Sequence, residues 1–207
     1  MKRLMTWFGA VALALPATAG AVEVERVERS ESDLQLFGIP VDSLNAGIGY
    51  NNWTGDAAPD IAPGFAWDLN VNLDVTQPVD LQVGYAGAVN SFTPEELDEF
   101  NLYTNEVTAA AQVQPVEISG FQPFVSGGIG LARASVAKNP QLNVEYQSDT
   151  MGSVPLAAGT DYKLSETIKI GARAHWDILF DNEIDTTQDT TDSDRWGFLI
   201  NVGATQF

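Results

Sequence analysis

Between Gly64 and Thr76, apolar and polar residues alternate without a break. Phe65, Trp67, Leu69, Val71, Leu73 and Val75 hold the odd positions, while Ala66, Asp68, Asn70, Asn72 and Asp74 hold the even ones. A period of two predicts an extended strand with one apolar and one polar face. The polar face carries amides and carboxylates instead of the Lys, Thr and Ser usual on a solvated sheet. The run is long for a soluble strand and matches the roughly 9–11 residues that a tilted strand needs to cross a bilayer.

The same pattern recurs along the chain. Leu44, Ala46, Ile48 and Tyr50 alternate with Asn45, Gly47, Gly49 and Asn51 in a first strand that ends at Trp53. After Thr76-Gln77-Pro78, a third strand sets Leu81, Val83, Tyr85 and Val89 against Asp80, Gln82, Gly84, Ala86 and Asn90. A helical turn is expected at Pro94 to Phe100, ahead of a fourth strand with Tyr103, Val107, Ala109, Ala111 and Val113 on one face. FQPFVSGGIGLARASV forms the fifth strand, Val154 to Leu164 the sixth, Ile168 to Phe180 the seventh and WGFLINVGATQF the eighth. The connections after the first, third, fifth and seventh strands are long, and the other three are short. Outer-membrane barrels sort their loops this way, with short periplasmic turns and long external loops. Two aromatic belts are expected. Trp53, Phe65, Trp67, Phe92, Tyr103, Trp176, Phe180, Trp196 and Phe198 lie near the long-loop ends; Phe121, Phe124, Tyr162 and Phe207 lie near the short-turn ends.

What precedes the strands is an export signal. Lys2 and Arg3 open the chain, Leu4 to Leu15 is apolar, and Ala19-Gly20-Ala21 is a small-residue cleavage site, so residues 1–21 read as a signal peptide. Residues 22–38 read as a charged periplasmic segment and residues 39–207 as the barrel domain. No later run reaches about 18 apolar residues, which leaves strands closed into a barrel as the route into a bilayer. The formal net charge of −18 repels nucleic acid, and no basic patch offsets it. The chain has no cysteine, so disulfides and lipidation of an N-terminal cysteine are excluded.

With these elements in place, the chain resembles the small eight-stranded outer-membrane barrels, the OmpA-like transmembrane domain and the opacity-type surface proteins. FQPFVSGGIGLARASV is similar to their fifth strand, AAGTDYKLSETIKIGARAHW is similar to a hairpin of theirs, and Phe207 matches their terminal aromatic. The resemblance implies an all-β fold, a closed antiparallel up-and-down eight-stranded transmembrane barrel of the Gram-negative outer membrane. Lipopolysaccharide and other outer-membrane lipids are the implied partners, with periplasmic chaperones and the barrel assembly machinery during biogenesis. No peptidoglycan-binding domain is expected. One departure stands out: Trp196, Phe198, Ile200, Val202 and Ala204 occupy the parity opposite to Phe207, which a bulge would reconcile.

The candidate chemistry lies on the polar faces. An eight-stranded barrel has an interior just wide enough for side chains to fill. Asp68, Asp74, Asp80 and Glu106 from strands two to four face Lys163, Lys169 and Arg173 from strands six and seven, with Asp177 on the same face of strand seven. Buried charges persist when paired, and Arg173 is placed to reach Asp68 or Glu106. A packed polar interior is the first reading of this network; exchange of its pairs to open a narrow ion path is the second. His175 is the sole histidine, so a His-based metal cluster is ruled out and no cofactor is expected. A lipid A deacylase barrel would need serine where Asp177 stands, on the lipid face, whereas parity points His175 inward. The loop from Asp181 to Asp194 is acidic without calcium-loop spacing; a solvated loop is expected, with divalent cations as weak candidate ligands. The expected function is non-enzymatic: envelope integrity, surface interaction or weak ion permeation. A soluble periplasmic β-sandwich or ligand-binding barrel is the alternative, and a lipid A-modifying barrel enzyme the third reading.

Overall fold

The computed structural model describes residues 24–25, 34–93, 101–136, 149–180 and 193–205. Eight long strands carry the alternating segments: β1 (Ile39–Trp53), β2 (Gly64–Thr76), β3 (Val79–Ser91), β4 (Asn101–Val113), β5 (Phe121–Val136), β6 (Asp149–Lys163), β7 (Ile168–Phe180) and β8 (Arg195–Thr205). Each pairs antiparallel with its neighbour in sequence, and β8 pairs back onto β1 from Arg195↔Trp53 to Thr205↔Ser43. The sheet is therefore a closed up-and-down barrel with no free edge. Residues 77–78, 114–120 and 164–167 make the connections at one end, the short-turn end; the longer connections lie at the other.

Two-residue segments decorate the short-turn end. Gln35–Leu36 pairs with Ile39 and Pro40 of β1, and Val24–Glu25 pairs with Glu117–Ile118 in the β4–β5 connection. Both neighbouring hairpins turn through two left-handed residues, Phe37-Gly38 and Ser119-Gly120. A turn with two positive φ values matches the twist of the strands it joins, and glycine takes the second position without steric cost.

Closure converts the sequence alternation into an inside and an outside. Outward residues are apolar and exposed: Ile48, Leu69, Ile129 and Ile200 are 56–71% exposed. Their even- or odd-numbered neighbours Asp68, Asn70, Asn72, Gln82, Glu106 and Gln112 are buried in the lumen. A surface this apolar on a monomer needs a partner phase, and along the whole circumference that phase is lipid. Aromatic contacts mark both rims. Tyr50, Trp196 and Phe198 pack edge to face with centroids 5.7 Å apart near the long-loop end, and Phe121 packs on Tyr162 at 4.8 Å near the short-turn end.

Three members of the expected belts turn inward instead. Trp53 is 1% exposed and Phe124 is 4% exposed, because both occupy the lumen parity of their strands. Phe92 packs on the same interior cluster as Trp53 and bridges Ile61. That cluster, Trp53, Ile61, Leu102, Ala132, Ala134, Met151 and Leu179, forms an apolar plug inside the long-loop end, so the interior is not polar throughout as expected. The signal peptide, the helical turn at 94–100, the acidic residues from Asp181 to Asp192 and the terminal Phe207 all lie outside the described residues.

The outward face makes a direct prediction. Ile129→Arg places a cation on the lipid face near the middle of β5 and is expected to destabilise the barrel by about 2–4 kcal/mol, measured by urea unfolding in lipid vesicles. A barrel whose outer face meets water would tolerate it with little change.

Candidate functional site

Among the described residues, charge concentrates in the lumen, and β7 supplies its axis. From the long-loop end downward, the inward residues of β7 are Leu179, Asp177, His175, Arg173 and Lys169. Each meets a different set of partners across the barrel, so the interior is a stack of levels beneath the apolar plug.

At the upper level Arg195 is the centre. Its Nε donates to Asp177 Oδ2 at 2.9 Å and its Nη2 donates to the same oxygen at 2.7 Å. The same Nη2 also donates to Glu106 Oε2 from β4, on the far side of the lumen. Ser153 of β6 donates its hydroxyl to the other Glu106 oxygen. His175 Nε2 stands 3.9 Å from Asp177 Oδ2, its ring lying over Gly197, where a Cβ would collide with it. Four strands are thus tied together by one guanidinium shared between two carboxylates. All three ionic groups are nine-tenths or more buried, where charge-assisted hydrogen bonds are strong and unpaired charge is costly.

The middle level holds Arg173. Its Nη1 reaches Asp68 Oδ2 at 3.3 Å, and Asn70 donates to that same oxygen at 2.7 Å. The guanidinium carbon sits 5.3 Å from the centroid of Phe124, a cation–π contact with an aromatic ring that faces the lumen. Below it an amide ladder runs across β2, β3 and β4, with Gln82 Nε2 donating to Asn72 Oδ1 and Gln112 Oε1, each at 2.9 Å. The lowest level pairs Lys169 with Asp161 at 2.9 Å, and Lys169 also donates to Ser43.

Five of the six expected site residues, Asp68, Glu106, Lys169, Arg173 and Asp177, lie in this buried stack, though at three separate levels. Of the two carboxylates within expected reach of Arg173, Asp68 is the one engaged; Glu106 belongs to Arg195. Lys163 lies elsewhere. It closes β6 at the short-turn rim, 40% exposed, and pairs at 2.8 Å with Glu117 of the β4–β5 connection. A residue of lumen parity at the last position of a strand has already left the barrel, which is why alternation alone misplaces it. Arg195 lies one residue before WGFLINVGATQF, the segment that alternation marks as the last strand; the parity of Gly197 and Leu199, extended one step back, points to it.

The space left between the upper and middle levels is small. A cavity of about 70 Å³ is bordered by Asp68, Glu106, Arg173, His175, Asp177 and Arg195. Pockets for drug-sized ligands occupy roughly 300–1,000 Å³, several times this volume. Among the described residues no group of three or more His, Asp or Glu side chains is arranged to hold a metal ion. Of the acidic loop, Asp194 is described and is structural: its carboxylate accepts from the Trp176 indole at 3.1 Å and the Leu179 backbone N–H at 3.3 Å.

Comparison with solved structures places this architecture. Neisserial surface protein A (NspA) matches with a TM-score of 0.62 at 15% identity, over 79% of this chain and 96% of that one. Ail, the attachment invasion locus protein of Yersinia pestis, matches with a TM-score of 0.50 at 14% identity, over 79% of this chain and 97% of that one. Ail in complex with the heparin analogue sucrose octasulfate matches with a TM-score of 0.51 at the same identity and coverage. No family model and no curated protein matches the sequence. The chain therefore has the fold of the eight-stranded outer-membrane β-barrels.

Two measurements test the stack. Arg195→Ala leaves Glu106 and Asp177 facing one another without a cation and is expected to lower unfolding free energy by about 3–5 kcal/mol in detergent or vesicles. Glu106→Gln keeps shape and an acceptor for Arg195 and should cost distinctly less but measurably; no loss from Glu106→Gln would mean that Arg195 acts through packing alone. At the rim, burial raises the Glu117 pKa, but hydrogen bonds from Lys163 and Gln122 and the Lys163 charge outweigh it and lower it overall. A depressed carboxylate stabilises the fold above its ordinary value and loses that contribution as pH falls through its folded value. Acid titration of unfolding should therefore show a small drop below about pH 4.5 that Lys163→Met removes.

Proposed function

We propose that this protein is a non-enzymatic outer-membrane barrel with a closed lumen, which serves envelope integrity and surface interaction through the loops at its long-connection end. In this reading a cleaved signal peptide exports the chain, periplasmic chaperones and the assembly machinery insert it, and lipopolysaccharide surrounds it. The observation that carries the reading is the filling of the lumen. Three levels of ion pairs and an amide ladder occupy its length, and the Trp53–Leu102–Met151–Leu179 plug seals the long-loop end. Ions crossing this interior would have to break buried pairs and then wet an apolar constriction, each of which opposes conduction.

The placement of His175 supports the non-enzymatic part. Chemistry on a membrane lipid needs reactive groups on the outer wall, and His175 lies inside, against Asp177 and Gly197. The exposed apolar wall supports a membrane location over a soluble periplasmic barrel.

Planar-bilayer recording tests the closed lumen. The refolded protein is expected to give no resolved conductance steps, whereas combined removal of seal and clamp in Trp53→Ala/Arg195→Ala should produce them. Regular steps from the unmodified protein would replace this reading with weak ion permeation.

A further inference from the structure

Of the eight seams of the wall, the one between β5 and β6 is interrupted at mid-height. Its register runs from Phe121↔Tyr162 to Gly127↔Leu156 and resumes at Gly130↔Ser153, so Gly128 and Ile129 lie opposite Pro155 and Val154 without pairing. The other interruptions are bulges close to the short-turn rim, at Asp42 between β1 and β2 and at Val75 between β2 and β3. Strand geometry explains the gap. The Ala109 carbonyl of β4 lies against Gly128, and Ala109 is in register with Ile129. Peptide groups alternate sides along a strand, so Ile129 bonds toward β4 and Gly128 directs its N–H and C=O toward β6. Proline has no N–H, and Pro155 leaves the Gly128 carbonyl without its strand donor. Pro123 leaves no such gap, because the β4–β5 ladder already ends at Val113↔Val125.

Side chains do little to bridge the gap. Gly127 faces lipid and Gly128 faces the lumen, so β5 offers nothing between Ser126 and Ile129 to pack across the seam on either side. Outside, the Leu156 side chain covers Gly127. Inside, the cavity of about 70 Å³ is bordered by Ser126, Pro155 and Ala157. Both ends of the gap are fastened. Toward the short-turn rim the Phe124 ring of β5 lies over Gly159 of β6. Toward the long-loop rim Ser153 of β6 donates to Glu106 of β4 across Gly130. Irregular backbone is tolerated within a membrane where it lines a cavity, and the cavity lies directly behind the unpaired stretch.

We propose that the stretch around Gly128 and Pro155 is a side window in the barrel wall. Between its two fastened ends the strands part, Leu156 swings off Gly127, and the cavity opens to the hydrocarbon. A missing hydrogen bond and missing side-chain contacts both lower the cost of local opening. Small uncharged molecules dissolved in the bilayer are the class admitted, because an ion would have to leave water to reach this part of the wall. The window opens sideways and so makes no conducting path from end to end. It presumes a hydrocarbon-facing wall and therefore rests on the outer-membrane reading.

The chain has no cysteine, so Ser126→Cys places a single thiol on the cavity wall. In the full mature chain refolded into phosphatidylcholine vesicles, methyl methanethiosulfonate, small and uncharged, is expected to modify this thiol, and a quaternary-ammonium methanethiosulfonate is not. Adding Pro155→Ala gives the Gly128 carbonyl a donor and should slow the modification about tenfold, the worth of one restored hydrogen bond. Equal rates with and without Pro155→Ala overturn the window. Modification by the charged reagent as fast as by the uncharged one would show entry through an end of the lumen and overturns it as well. Amide hydrogen exchange on the unmodified protein gives a reading that no substitution distorts. Gly128 and Ala157, which border the gap, should exchange faster than Gln82 and Ala110, at the same level on the unbroken β3–β4 seam; equal protection overturns the proposal. Heat-modifiable gel mobility confirms that each variant is folded. Failure of the unmodified chain to insert at all would sink the outer-membrane reading itself, which separates the two kinds of failure.

Discussion

In hydrocarbon there is no water to satisfy a peptide group, so each backbone N–H and C=O must find its partner within the protein. For a chain made of strands this demands that the last strand return to the first. Here Arg195 to Thr205 does so against Ser43 to Trp53. Every other property follows from that closure. Once the sheet is a tube of eight strands, its wall has one face toward lipid and one toward a lumen too narrow to be left open. Side chains of alternate parity are sent to one environment or the other with no intermediate choice.

The lumen then has to be solved as a packing problem with polar parts. Charged residues can fill it when they meet an opposite charge, and Arg195, Arg173 and Lys169 do so in levels along β7 instead of in one central cluster. Arg195 serves two carboxylates, Arg173 is flanked by Asp68 and the Phe124 ring, and Lys169 takes Asp161. Glycines make the space. Gly197 leaves room for the His175 ring, and Gly47 leaves room for the Asp68 and Asn201 oxygens. The interior thereby couples strands far apart in sequence, and the apolar cluster lies above it toward the long-loop side.

Much of this was legible from alternation, because a period of two reports directly on which face a residue takes. The eight strands, their order of long and short connections, and the inward placement of Asp68, Glu106, Lys169, Arg173 and Asp177 all followed from parity. Misplacements came where another idea overrode parity or where a strand ended. Trp53 and Phe124 fit lipid belts as aromatics, yet their parity puts them inside. Lys163 had the right parity one step too late, beyond the barrel rim. The plug residues Leu102, Met151 and Leu179 carry inward parity at strand ends, so the sequence contained the seal. Its meaning depended on four strands converging at one height, which no single segment reveals. The sharing of Arg195 between Glu106 and Asp177 likewise depends on register across the whole barrel.

The absence of cysteine allows the central claim to be tested by single-cysteine spin labels along β2, from position 65 to position 72, in the refolded protein in bilayers. Labels at 65, 67, 69 and 71 should collide with oxygen dissolved in lipid. Those at 66, 68, 70 and 72 should be shielded from both oxygen and a water-soluble nickel reagent, giving a period of two in the collision rates. Nickel access at either set along the whole strand would contradict a lipid-solvated wall around a filled lumen.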